Sequence, residues 1–241
     1  MFTAIAPYYN ELMGAVDYEM WADYLLLLLE MRESHPADVL DVCCGTGTVS
    51  ELLADMGYRV LGVDLSAPMI DEAQKRVANH PEQLEFIAAD AATFASERRF
   101  DAAFSFFDSF NYITDLGHLR KVFANIARHL KPGTPFIFDL NTAYAFEAKM
   151  FDQEDTRKRS RVRYKWVGDY DPGTHVIRVN MQFWVDGREF TETHVQRAHS
   201  EDEIVDLLDA AGFTDIMIYD SYTLSPPRKR SDRVHYVATR G

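Results

Sequence analysis

The sequence predicts an α/β fold. It consists of a seven-stranded, mostly parallel sheet with helices on both faces, carrying a small three-stranded antiparallel insert. Three observations predict it. Between Val39 and Leu140, short apolar runs alternate with helical patterns, as strands joined by crossover helices do. Acids recur at the ends of those runs, at Asp41, Asp64, Asp90 and Asp139. After Thr142 the pattern changes to period two, with the turns "DPGT" (Asp171–Thr174) and "DG" (Asp186–Gly187); the second is a strong hairpin signal.

Residues from about Pro7 to Glu33 read as helical with a break near Gly14, and Asp17 can cap the second helix. Val39–Cys43 is a short apolar strand. Thr48–Met56 is a helix stopped by Gly57. Arg59–Asp64 is a second strand, and Ser66 with Pro68 opens the next helix. Leu84–Asp90 and Phe100–Phe107 are further strands. Leu116–Leu130 is a helix, since Leu119, Val122, Phe123, Ile126 and Leu130 recur close to period 3.6. "KPGT" ends it, and Pro135–Leu140 is the fifth strand. Residues 157–198 form the insert: Val162, Tyr164 and Trp166 alternate with basic residues, and Ile177, Val179, Met181 and Phe183 share a face. "SEDE" at Ser200–Glu203 is a capping box for a helix to Ala211. Phe213–Tyr222 and Val234–Thr239 are the final strands. The whole, 1–241, reads as one domain, with residues 1–35 as a helical cap and the insert on the substrate side or at a dimer contact.

Composition narrows the function. The chain has 241 residues, 47% of them hydrophobic, enough for one sizeable core. A net charge of −13 argues against general nucleic-acid binding, which needs a basic surface. The two cysteines are adjacent, so no disulfide framework is expected and a reducing, cytoplasmic setting follows. "MFTAIAPYYNELMG" lacks the pattern of a signal peptide, and the run Leu25–Leu29 is too short to span a bilayer. No membrane partner is expected, and no metal.

The turn "VLDVCCGTGT" follows the first strand. A phosphate-binding P-loop needs a lysine and a hydroxyl at the helix start, and neither stands in frame. A dinucleotide turn needs a third glycine, where this chain has Ser50. Backbone groups of this loop suit something small and zwitterionic. Asp64, 17 residues after Gly47, can accept hydrogen bonds from two ribose hydroxyls. Leu65 and Met69 can flank an adenine ring, and Asp90 with the Ala91 backbone N–H can meet its amino group.

With "LKPGT" after the fourth helix, these motifs resemble class I S-adenosylmethionine-dependent methyltransferases, which have a Rossmann-like sheet. The resemblance covers most of the chain. It implies S-adenosyl-L-methionine as cofactor. Asp41 and Cys43, Gly45, Thr46 and Gly47 would hold its methionine part, Asp64 its ribose, and Asp90 its adenine. Cys43 departs from the usual glycine, and the expectation is that a small side chain suffices there. "PYYNELMGAVDYEMWADYL", "FDSFNYITD", "FIFDLNT" and the insert further resemble a small bacterial subgroup similar to N,N-dimethyltransferases of nucleotide-linked amino sugars. That similarity implies that the N-terminal helices close over the cofactor, with Tyr9 and Trp21 at its methionine end and Phe106 nearby.

Methyl transfer from a sulfonium is an in-line displacement that asks the protein mainly to position donor and acceptor and exclude water. An amine acceptor must also lose a proton, which an acid or imidazole can assist. "FFDSFNYITD" puts Asp108, Asn111 and Tyr112 beside the expected methyl group, with Asp108 able to attract an ammonium. His194 and Arg197 on the last insert strand are expected at the pocket mouth, and Asn141 follows the fifth strand. Asp108 and His194 are the catalytic candidates; Asn111, Tyr112, Asn141 and Arg197 are candidates for substrate contact. No "NPPY" or Pro-Cys loop points to nucleobase chemistry. The expected acceptor is a small molecule, an amine or amino sugar. The basic run Arg157–Lys165 raises RNA as an alternative acceptor, and a non-catalytic cofactor-binding scaffold, with the insert strands able to form a homodimer, is the third reading.

Overall fold

Asp17 starts the first long helix as expected, its carboxylate accepting the Met20 N–H at 3.0 Å. The computed structural model describes residues 3–241. A 3-10 turn at Ala6–Tyr8 leads into α1 (Tyr9–Leu12) and α2 (Tyr18–Met31). In the leucine run of α2, Leu25, Leu28 and Leu29 are buried and Leu27 is 44% exposed, so the run is the stripe of a packed helix. Among the described residues no helix is long and apolar enough to cross a membrane.

The alternation then proceeds as β1 (Asp38–Val42), α3 (Thr48–Asp55), β2 (Arg59–Asp64), α4 (Ala67–Val77), β3 (Leu84–Ala88), β4 (Ala102–Ser105), α5 (Leu116–His129) and β5 (Pro135–Asn141). It continues with α6 (Ala143–Glu147), the insert strands β6 (Gln153–Asp155), β7 (Arg163–Asp171), β8 (Val176–Val185) and β9 (Arg188–Arg197), then α7 (Glu201–Ala210), β10 (Phe213–Asp220) and β11 (Arg233–Arg240). The main sheet has the order β10-β11-β5-β4-β1-β2-β3. β3, β2, β1, β4 and β5 are parallel, and β11 is antiparallel to both β5 and β10. The chain moves outward from β1 to β3 and then returns to the other side of β1. The crevice at this reversal, outside the strand C-termini, is where open α/β sheets bind ligands.

Because successive strand residues face opposite ways, the sheet separates two cores. Leu40, Leu61, Phe136 and Phe138 pack with Val122, Phe123 and Ile126 of α5 and Leu207 of α7. Val39, Val60, Phe86 and Ile137 pack with Leu25 and Leu28 of α2, Leu53 of α3 and Ile70 of α4.

The insert has four strands, in the order β6-β7-β8-β9, where the sequence predicts three. The added strand reads "QED", too short and polar to carry a period-two signal. Ile177, Val179, Met181 and Phe183 do share a buried face, which packs on Ile5, Ala145 and Phe146. Asp186 and Gly187 both take positive φ, as their tight hairpin requires. The fourth strand of the main sheet is also shorter than its apolar run. Phe107 and Asp108 adopt φ of 73° and 50°, turning the chain out of the sheet.

Candidate active site

The C-terminal edge opens into a cavity of about 1030 Å³. One wall comes from the ends of β1, β2 and β3, another from the N-terminal segment, and a third from the insert and β11. Asp41, Cys43, Gly45, Thr46, Asp64, Leu65, Met69, Asp90, Ala91, Tyr9, Trp21 and Phe106 all line it. Gly47 does not; it is the N-cap of α3 at φ 73°, and an added Cβ there would fall 2.5 Å from the Phe86 ring. Gly45 also has positive φ, but a Cβ there would meet nothing within 4 Å, so its backbone faces open space.

Asp64 organises the turn. Its Oδ2 accepts the Gly45 N–H at 2.9 Å and its Oδ1 accepts the Ser66 N–H at 2.8 Å. Burial raises its pKa, against the lowering effect of these two bonds. Asp90 accepts the Ala92 N–H at 2.8 Å and lies 3.2 Å from His118. The Thr46 hydroxyl donates to Asn10 Oδ1 at 2.6 Å, joining the glycine turn to α1. Trp21 is buried among rings, 4.6 Å from Phe107 and 5.6 Å from Tyr222 between centroids, and lines the cavity as well.

Asp41 is 3% exposed and accepts the Ser50 hydroxyl at 2.5 Å. The serine that breaks the dinucleotide pattern thus serves this carboxylate. Burial pushes Asp41 up to about 7, with Asp64 adding to the rise and Ser50 opposing it. The folded value lies above the ordinary carboxylate value, so the folded chain binds the extra proton between about pH 4 and 7. This group's stabilising contribution is therefore full below pH 4 and declines as pH rises to 7, by up to about 1.4 kcal/mol per unit. Asp41→Asn is expected to flatten that slope in denaturant midpoints measured from pH 5 to 7.5; parallel slopes for the two proteins would refute it.

Cys43 stands at φ 61°. Smallness alone is therefore not what the position demands: the turn needs the left-handed region, where a Cβ costs about 1–2 kcal/mol. Burial raises both thiols, Cys43 and Cys44, well above their ordinary values, so neither is a poised thiolate. Cys43→Gly is expected to raise the melting temperature by roughly 2–4 °C, the equivalent of about 1 kcal/mol for a chain of this size. A lower melting temperature would mean that thiol packing outweighs the strain.

Across the cavity the structure revises several expectations. Asp108 is 5% exposed and already engaged: its Oδ1 accepts from Arg233 at 2.8 Å and its Oδ2 from Gln196 at 2.7 Å. The other arm of Arg233 holds Asp139. Asp108 thus meets a guanidinium from its own chain where the sequence suggests a substrate ammonium. Asn111 is fully buried and does not line the cavity. Its amide donates to the Asn141 and Arg197 carbonyls at 3.0 and 2.8 Å and accepts the Asn141 N–H at 2.9 Å. It staples β5 to β9, so the expected substrate contact is corrected to a structural one. Arg197 points to Glu203 of α7 at 2.6 Å and is absent from the cavity wall. Asn141 and Tyr112 line the cavity. His194 is 1% exposed and lies behind Tyr112, not at the mouth.

Short-range patterns miss Arg233, Asp232, Gln196 and Glu192. Each gains its place from a partner or wall far along the chain. Phe107 and Tyr18 also line the cavity, and their aromatic character is the one available signal. Two of the six bases in the run Arg157–Lys165 are held in ion pairs: Arg157 with Asp155, and Arg161 with Asp186 and Glu11.

This architecture, a reversal-point cavity with acids at three successive strand ends, defines a class I S-adenosylmethionine-dependent methyltransferase. Residues 39–133 match the family described as a methyltransferase domain. An S-adenosylmethionine-dependent methyltransferase from Clostridium acetobutylicum superposes with a TM-score of 0.86 at 29% identity, covering 98% of this chain and 97% of that one. Bacillus subtilis YqeM, provisionally assigned as a methyltransferase, is 27% identical over 243 residues, 99% of this chain and 96% of its own. A dTDP-4-amino-2,3,4,6-tetradeoxy-D-glucose N,N-dimethyltransferase from Saccharopolyspora spinosa is 27% identical over 201 residues, 81% and 79% of the two chains. Together these findings make the chain an S-adenosylmethionine-dependent methyltransferase, similar in sequence to an amino-sugar N,N-dimethyltransferase.

Proposed function

We propose that the enzyme methylates the nitrogen of a small-molecule amine. The observation that carries this reading is the charge of the cavity. Asp41, Asp64, Asp90, Asp108, Asp115 and Asp232 line it, while its only bases among the described residues are His118 and Arg233. Arg233 is committed to two carboxylates and His118 lies beside Asp90. Such a field attracts an ammonium and gives a diphosphate little to bind. The insert adds Tyr164, Trp166, Met181 and Phe183 to the wall, which suits an acceptor with an apolar body. Two relatives are N,N-dimethyltransferases of dTDP-linked amino sugars, which share the amine but carry a diphosphate that this cavity does not favour.

S-adenosylmethionine, when bound, supplies a methyl group already activated on a sulfonium. The residues fit this cofactor. In this reading Asp64 accepts from the ribose, and Asp90 and Ala91 meet the adenine edge. Leu65, 69% exposed at the cavity rim, and Met69 lie on the adenine faces. The open Gly45 backbone and Asp41 take the amino-acid end, beside Tyr9, Trp21 and Phe106. Closure of the N-terminal segment excludes water, and the cavity holds the acceptor nitrogen in line.

The test is transfer of labelled methyl to a panel of arylalkylamines, free amino sugars and nucleotide-linked amino sugars, with total RNA as a control. N-methylation of an amine without a diphosphate is the expected result. Labelling of RNA alone would overturn the reading.

A further inference from the structure

We propose that Glu192 is a positioning residue that couples closure of the N-terminal segment to the ability of Tyr112 to pass on a proton. The inference rests on the amine-methylation reading only for the source of that proton; the arrangement itself is a property of the protein.

Three side chains form a line inward from the cavity. Tyr112 lines it, and its hydroxyl lies 3.1 Å from His194 Nδ1. His194 Nε2 lies 2.9 Å from Glu192 Oε2. Glu192 is ionised: its pKa falls to about 2, because hydrogen bonds from His194 and from the Ile5 and Ala4 backbone outweigh its burial. An ionised carboxylate only accepts, so His194 Nε2 carries the hydrogen. In the neutral ring Nδ1 is then the acceptor, and the Tyr112 hydroxyl donates to it. The phenol oxygen, which Gln196 also reaches, stands on the cavity wall where the acceptor nitrogen would come.

The proton balance follows. As the acceptor nitrogen gains the methyl group and becomes an ammonium, its N–H proton passes to the Tyr112 oxygen. The phenol's own proton passes to His194 Nδ1. Tyr112 ends neutral, and the imidazolium is paired with Glu192. Tyr112 need not ionise first, which burial and the charge of Asp108 oppose. Among the described residues, Tyr112 from the turn after β4 and Glu192 on its own strand lie beside His194, with Gln196 and Asp108 beyond Tyr112.

The second oxygen of Glu192 does different work. Oε1 accepts the backbone N–H groups of Thr3, Ala4 and Ile5 at 3.1, 2.8 and 3.2 Å. Thr3, Ile5 and Tyr9 line the cavity, so this segment is part of its closure. One carboxylate thus holds the closing segment with one oxygen and sets the histidine tautomer with the other. When the segment lifts, Glu192 loses three donors and His194 loses a fixed partner. The proton path is complete only when the cavity is shut.

Imidazole 15N NMR and amide hydrogen exchange on the ligand-free protein test this, so the result does not depend on cofactor binding or on finding the acceptor. The wild type is expected to show His194 with its hydrogen on Nε2. Glu192→Gln can still accept from the N-terminal amides but turns an N–H₂ group toward the ring, so the tautomer should reverse while Ala4 and Ile5 stay protected within about threefold. Glu192→Ala should lose both, with exchange at Ala4 and Ile5 at least tenfold faster. A wild-type His194 with its hydrogen on Nδ1, or Glu192→Ala with unchanged exchange at Ala4 and Ile5, would overturn the proposal. Failure of the amine reading alone would instead show as absent transfer to every amine, with these signals intact.

Discussion

Asp64→Ala is expected to weaken S-adenosylmethionine binding by at least tenfold, about 1.4 kcal/mol, in titration calorimetry. The argument has two parts. In the proposed role, the carboxylate accepts from the ribose hydroxyls, and hydrogen bonds to a charged group contribute about 1.5–3 kcal/mol. The carboxylate also pins the turn through the Gly45 N–H at 2.9 Å and the start of α4 through the Ser66 N–H at 2.8 Å. Alanine would remove the proposed ligand contact and loosen the loop assigned to the amino-acid end. Asp64→Asn keeps one acceptor oxygen and should fall between the two. Wild-type affinity in the alanine variant would remove Asp64 from the cofactor site.

Arg233→Ala is expected to destabilise the fold by about 3–5 kcal/mol, because it leaves two buried carboxylates without their cation. Asp139 is 1% exposed and Asp108 5%, and Arg233 holds both. At this chain length the loss corresponds to a fall in melting temperature of roughly 10 °C. Lysine should not rescue, since a single ammonium cannot present the planar fork that reaches both acids. Adding Asp108→Asn and Asp139→Asn to the alanine variant should recover much of the loss, since the carboxylates cause it. A fall of less than 2 °C in Arg233→Ala would show that water already satisfies the pair.

The parallel half of the fold was legible because its signals are local. Each strand from Val39 to Leu140 is an apolar run, and each helix has a stripe or a cap, as at Asp17 and in the Ser200–Glu203 capping box. The cofactor-side candidates were legible for a related reason: strand C-termini share an edge, so acids at strand ends converge without further information. The acceptor side was less accessible. Asp108 and Asn111 looked free because their partners, Arg233, Gln196 and Arg197, lie 86 or more residues away. Glu192 meets the N-terminal segment across more than 180 residues. No periodicity encodes such pairings. The positive φ of Cys43 was hidden too, because cysteine gives no conformational signal where glycine would have given one.

The direction of β11 constrains how the sheet can assemble. Its first residue, Arg233, sits beside Asn141 at the end of β5, while its last, Arg240, reaches the opposite margin and donates to the carbonyls of Ala127 and Gly212. A slip of one residue in this pairing would turn Arg233 to the other face of the sheet. Asp108 and Asp139 would then be left unmatched. Arg233, Asp108 and Asp139 therefore act as a register lock, penalising misaligned pairings of the C-terminal strand.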